Sequence, residues 1–177
     1  MGIEFKTAHN SKNEHETINL LKQAFDDYPE LSQYTYSKLV LVDNTVQPPH
    51  SHPVITLNCR DNNSMPLLLS GYVHEQLHHY LHSVDEKLEQ AVEELKARYS
   101  NVPVGFPEGA NNEFWTYGHL ILCSLEQMIL RLVFGMDFAQ ISLKYWQNHH
   151  YTWIYKTVES DYKYLIETVK KYEMLPN

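Results

Sequence analysis

Apolar positions along the chain fall into stretches of helical and of strand-like period. Within 14–27, Ile18, Leu20, Leu21, Ala24 and Phe25 recur as on a short amphipathic helix. Tyr28-Pro29 should end it, because the residue before proline avoids the helical region. The run 38–43 (KLVLVD) predicts a strand, bounded by Asn44 and Pro48-Pro49, and 54–57 (VITL), after Pro53, predicts a second. Asp61-Asn62-Asn63-Ser64 is a turn cluster. Ser64 is then a suitable N-cap and Pro66 sits in the first turn of a long helix carrying Val73, Leu77, Tyr80, Leu81, Val84 and Leu88 at helical spacing. The charged segment 86–98 either continues that helix or forms another. Segment 101–112, with Pro103, Gly105, Pro107 and Gly109, reads as a loop. A second long helix spans about 113–134 and stops at Gly135, and Ile154, Val158, Tyr162, Leu165 and Val169 mark a last amphipathic helix ending near Leu175-Pro176. Helix, two or more strands, then three helices predicts an α+β fold with a small sheet, in one domain over 1–177.

Composition narrows the function classes. The formal net charge is −8, with no dense basic patch, so a nucleic-acid partner is not expected. The start, Met1-Gly2-Ile3-Glu4-Phe5-Lys6, lacks the apolar core of a signal peptide, and Lys6 stands where a myristoylation signal needs Ser or Thr. The apolar stretch 120–134 is interrupted by Glu126 and Arg131, which predicts a buried helix and no membrane partner. Cys59 and Cys123 make no disulfide framework; they are expected as reduced core fillers in a cytoplasmic protein.

The 11 histidines change the picture through their positions. His74-Glu75-Gln76-Leu77-His78 lies inside the first long helix. Four residues correspond to about 400° of rotation and about 6 Å of rise, so His74 and His78 share a face and one Zn²⁺ can bridge them. Glu75, about 100° away, borders that face, where a carboxylate can take a proton from a water on the metal. With this composition, roughly 0.06 such motifs are expected by chance, so the match is uncommon. His82 is a poor further ligand, roughly 12 Å along the axis from His74.

A catalytic zinc usually has three protein ligands and an open position. On the helix 113–134, Trp115, Cys123, Glu126 and Leu130 project within about 40° of His119, on an apolar side. Glu113, Ser124, Gln127 and Arg131 gather about 80–140° away, in a strip expected to face solvent. A polar group buried on the apolar side needs a partner, and a metal would serve either His119 or Glu126. Their separation of about 10 Å along the axis argues against both binding one ion. His119 is the preferred ligand, with Glu126 supporting it, and Glu126 or Glu113 as the rival third ligand. Tyr151, Tyr155 and His150 are candidates to fold over the metal and stabilise an oxyanion, with Tyr117 a further option.

A strand, a helix bearing His74-Glu75-Gln76-Leu77-His78 and a downstream helix with one more ligand together resemble the zincin metallopeptidases, over roughly residues 38–134. Pro107-Glu108-Gly109-Ala110 and Thr116-Tyr117-Gly118-His119-Leu120 resemble stretches of small bacterial proteins of that type, and Asn112-Glu113 resembles an Asn-Glu pair of some zinc peptidases. The resemblance implies a minimal zincin-like domain, a Zn²⁺ cofactor, a peptide or protein substrate, Glu75 as general base, and substrate pairing along the edge strand 54–57. In the glutamate-type zincins the third ligand is Glu, whereas the best-placed residue here is His119. The alternative to a metallopeptidase is a metal-binding protein of zincin-like shape that acts as a scaffold or on a non-peptide substrate.

Overall fold

A computed structural model describes residues 2–176. The elements run β1 (Glu4–Thr7), α1 (Lys12–Asp27), a 3-10 helix (Pro29–Tyr34), β2 (Leu39–Val42), β3 (Ile55–Leu57), α2 (Met65–Ser83), α3 (Asp85–Arg98), α4 (Glu113–Phe134), α5 (Met136–Trp146) and α6 (Thr152–Lys171). The architecture is a mixed one of helices with a small sheet. The three strands lie in the order β1-β2-β3, all parallel, with Phe5 opposite Val40 and Leu41 opposite Thr56.

Strands β2 and β3 fall where their β-branched and apolar runs place them. Strand β1 was not expected: only four residues long, it alternates exposed and half-buried positions and carries little apolar signal. Helix α1 begins two residues before its apolar pattern, because Ser11 and Glu14 form a capping box. The segment 86–98 is a separate helix. Val84 leaves helical geometry and caps both α2 and α3.

Helix α2 starts at the expected turn, but the Ser64 side chain makes no capping bond. The N–H groups of Leu67 and Leu68 reach the Ser64 carbonyl instead, both at 3.0 Å. Leu69, Tyr72, Val73, Leu77 and Leu81 are fully buried and fix one side of α2 in the core. Each such side chain contributes about 1.5–3 kcal/mol of burial. Gln76 locks α2 to the chain that enters β2: it accepts from the N–H groups of Tyr36 (2.8 Å) and Ser37 (2.7 Å) and donates to the Ser37 carbonyl.

Helix α4 is central and packs against α2, α3, α5 and α6. By length and composition it is the one helix among the described residues able to cross a membrane, and most of it is buried. The strip expected to face solvent does not. Ser124 and Gln127 are fully buried; Gln127 reaches Ser142 of α5, and Arg131 lies over the Tyr162 ring of α6, with only Glu113 exposed. Helix α5 was not anticipated, since it starts one residue after Gly135 and mixes exposed Met136 and Ile141 with buried Ala139 and Leu143. Cover by α5 at Gln127 and by α6 at Arg131 is why the polar strip lies inside.

Candidate metal centre

Four helices converge behind His74. On α2, Ser70, His74 and His78 stand at successive four-residue steps and share a face. Glu126 of α4, fully buried, accepts three hydrogen bonds: from the Ser70 hydroxyl at Oε1 (2.7 Å), and from His74 Nδ1 (3.0 Å) and the Tyr155 hydroxyl of α6 (2.8 Å) at Oε2. Trp146 of α5 completes the chain by donating Nε1–H to Ser70 Oγ at 2.8 Å. A carboxylate only accepts, so His74 carries its proton on Nδ1 and presents the Nε2 lone pair.

His119 is oriented in the same way. Its Nδ1 lies 2.7 Å from the Trp115 carbonyl, one helical turn back, and must donate to it, which leaves Nε2 as an acceptor. That Nε2 is buried and has no hydrogen-bond partner among the described residues. The three rings form a near-equilateral cluster, with centroids 5.1 Å (His74–His78), 5.6 Å (His74–His119) and 5.1 Å (His78–His119) apart. One ligand atom from each lies within 4.8 Å of the others. Three imidazoles aimed together, one with an orphaned buried lone pair, fit a divalent transition metal, since such an atom otherwise costs its full desolvation penalty. The structure thus brings His74, His78 and His119 together and places Glu126 behind His74. Glu113 stands exposed in the first turn of α4, outside the cluster.

Two other groups have metal-like spacing. Cys123 and Glu126 lie near His74, but burial pushes the Cys123 thiol well above its ordinary range, and the Glu126 oxygens already serve three donors. His9, Glu14 and Asp43 gather at the start of α1, where Glu14 accepts from the N–H groups of His9, Ser11 and Asn44 and pins the turn.

Electrostatics separates the three histidines. Burial, reinforced by neighbouring His74, holds His119 down to about 3, and burial with His74 and His119 drives His78 lower still. Both are neutral near pH 7 and would need to lose no proton to ligate an ion. For His74, burial opposes charge, but the Glu126 hydrogen bond and the charges of Glu75 and Glu126 outweigh it and raise its pKa. Glu75 is buried beside His74, and burial, with Glu126 adding and His74 opposing, lifts it to about 7.

The cluster opens on a cleft of about 640 Å³ lined by His74, Glu75, His78, Tyr151 and His150, with the 47–51 loop on one side and Phe106 on another. Tyr151, in the left-handed backbone region at φ 55°, lays its ring 4.4 Å from that of His119. Burial first, then Cys123 and Glu75, raises its hydroxyl pKa, so it stays protonated. The His150 ring lies against Tyr151, tilted by 54° with centroids 4.0 Å apart. Tyr155 also reaches the cleft, but its proton is committed to Glu126, which makes it a support for His74. Tyr117 is buried and donates to the Tyr99 carbonyl. Strand β3 is the sheet edge beside α2, yet Thr56 exchanges both backbone hydrogen bonds with His50 (3.0 and 2.8 Å), so at Thr56 no backbone group is left for a substrate. A separate cavity of about 450 Å³, lined by Phe5, Lys22, Phe25 and Lys38 among others, holds none of these residues.

Sequence reasoning missed Ser70 and Trp146, which hold Glu126 and Ser70 respectively. The signal for Ser70 was its place one turn before His74 on the same face; nothing local marked Trp146, because α5 itself was not anticipated. Replacing Glu126 with Gln should weaken metal binding about 10- to 100-fold without abolishing it. Competition with a chromogenic chelator measures this. Complete loss would make Glu126 a ligand, and no change would reduce it to packing.

Comparison of the chain with protein-family models, with curated proteins and with solved structures finds no match.

Proposed function

We propose that this protein is a zinc-dependent hydrolase of peptide or related amide bonds, built on a minimal zincin-like arrangement. One observation carries the reading: the buried, unpartnered Nε2 of His119 sits with His74 and His78 beside a cleft that also holds Glu75. His74, His78 and His119 would hold the ion. When bound, zinc supplies Lewis acidity and lowers the pKa of a water toward neutrality.

The remaining work falls to the chain's own residues. Glu75, buried on the cleft wall beside His74, is placed to accept a proton from the attacking water and to pass it to the leaving nitrogen. Tyr151 keeps its hydroxyl proton and lines the cleft, so it is the donor proposed for the developing oxyanion. Glu126, with Ser70, Tyr155 and Trp146 behind it, fixes the tautomer of His74. Zinc-loaded protein incubated with a peptide mixture should generate new termini, detected by mass spectrometry, and a chelator should stop the cleavage. Stoichiometric zinc with no cleavage of any peptide would favour a metal-binding scaffold instead.

A further inference from the structure

We propose that the cleft selects substrates carrying a free carboxylate beside the scissile amide, and that Arg60 is the residue that grips it; this rests on the hydrolase reading above. The chain carries 14 basic and 22 acidic residues, yet among the described residues Arg60 is the only lysine or arginine that lines this cleft. The only carboxylate lining it is Glu75, already assigned to proton transfer. A guanidinium on the cleft wall calls for an anionic group on the ligand.

Arg60 is placed for that task. It lies just beyond the C-terminal end of β3, where the chain turns toward α2, and open α/β sheets bind ligands beyond that end of their strands. Its own N–H is held by the buried Asn58 side chain at 3.1 Å, which fixes the start of the side chain. Its approach to Asp61 is through Nε at 3.8 Å, too long for a hydrogen bond, so that carboxylate does not tie down the guanidinium fork. That planar fork matches a carboxylate with two parallel N–H···O bonds. Burial first, then His74 and Arg60, hold the His150 ring neutral, so His150 presents no second cation. Phe106, largely exposed, and Tyr145 line the same cleft and suit an apolar or aromatic side chain next to the carboxylate.

The implied substrate is an N-acyl amino acid unit, whether free or as the last residue of a peptide. In the reaction the water oxygen bonds to the carbonyl carbon and the C–N bond breaks. Both water protons end on the leaving nitrogen, which departs as an ammonium, and the new acid is a carboxylate. Arg60 takes no part in these exchanges and is a positioning residue.

The test is calorimetric binding of N-acetyl-L-phenylalanine and of its carboxamide to zinc-loaded wild type and to the Arg60→Ala and Arg60→Lys variants, with zinc content checked in each. Wild type should bind the acid about 10- to 100-fold more tightly than the amide. Arg60→Ala should erase that preference, and Arg60→Lys should keep part of it. Equal binding of acid and amide, no binding of either, or a preference that survives in Arg60→Ala (a carboxylate held by the metal alone) would overturn the proposal. Turnover of the small acid points to free N-acyl amino acids, and turnover only of peptides ending in a free phenylalanine points to peptide C-termini; both support it. Arg60-dependent binding with no turnover of the acid or of any peptide tested leaves the carboxylate subsite standing and removes the hydrolase reading.

Discussion

Glu75→Gln should keep the metal and lose about 100- to 10,000-fold in hydrolysis. The substitution conserves shape and leaves His74, His78 and His119 untouched, while removing the one carboxylate on the cleft wall. An amide cannot take the proton from water, so the loss falls on kcat rather than on KM. Full activity in this variant, with zinc still bound, would end the role assigned to Glu75. The same variant has a second, activity-free signature. In the metal-free protein burial raises Glu75 from 4.5 to about 7, so the folded state holds this proton more tightly than the unfolded chain does. Its stabilising contribution is complete below pH 4.5 and is lost as pH rises through 7, a change of about 3 kcal/mol at most. Metal-free Glu75→Gln should therefore melt at a higher temperature than wild type at pH 8, and the gap should close below pH 4.5. Thermal melts at the two pH values decide it.

How far the site was legible in the sequence follows from how local each signal is. His74, Glu75 and His78 lie within five residues on one helix, so spacing alone placed them on one face. His119 depends on how α4 packs against α2, but a helix turned with His119 and Glu126 on its apolar side left few alternatives. What failed was the opposite face of α4. The strip of Ser124, Gln127 and Arg131 looked solvated because polar residues on a helix usually are, and only a covering helix makes it internal. Helix α5, which supplies that cover at Gln127, is short and carries apolar residues on both its buried and its exposed sides, so its period is weak. The role of Tyr155 depended on a partner 29 residues away, and no spacing rule reports a hydrogen bond of that reach. Tyr151 was legible as an aromatic near the site, but its position against His119 follows from a left-handed residue at the start of α6. The edge role expected for β3 met a similar non-local fact, since the loop through His50 returns to pair with Thr56.

His119→Ala should abolish stoichiometric zinc binding, and this is the result on which the metal centre depends most. In wild type the lone pair on His119 Nε2 is buried with no partner among the described residues, a cost that an ion removes. An ion that binds the folded chain also stabilises it: at a metal concentration a thousandfold above Kd, linkage would add about 4 kcal/mol. For a chain of this size that raises Tm by roughly 10 °C. Wild type should therefore show near-stoichiometric zinc by elemental analysis, in protein purified without a histidine tag, and a melting temperature that falls when chelator is added. His119→Ala should contain little zinc and ignore the chelator. His78→Ala should behave the same way, which separates loss of a ligand from a cavity left under Trp115 and Tyr151, both of which lie against the His119 ring. Zinc retained in His119→Ala would move the third ligand to Glu126, whose carboxylate lies 3.0 Å from His74 Nδ1. Wild type that neither contains zinc nor takes it up on addition would leave the three imidazoles as a neutral packed cluster, and the low pKa values of His78 and His119 would then be a consequence of burial alone.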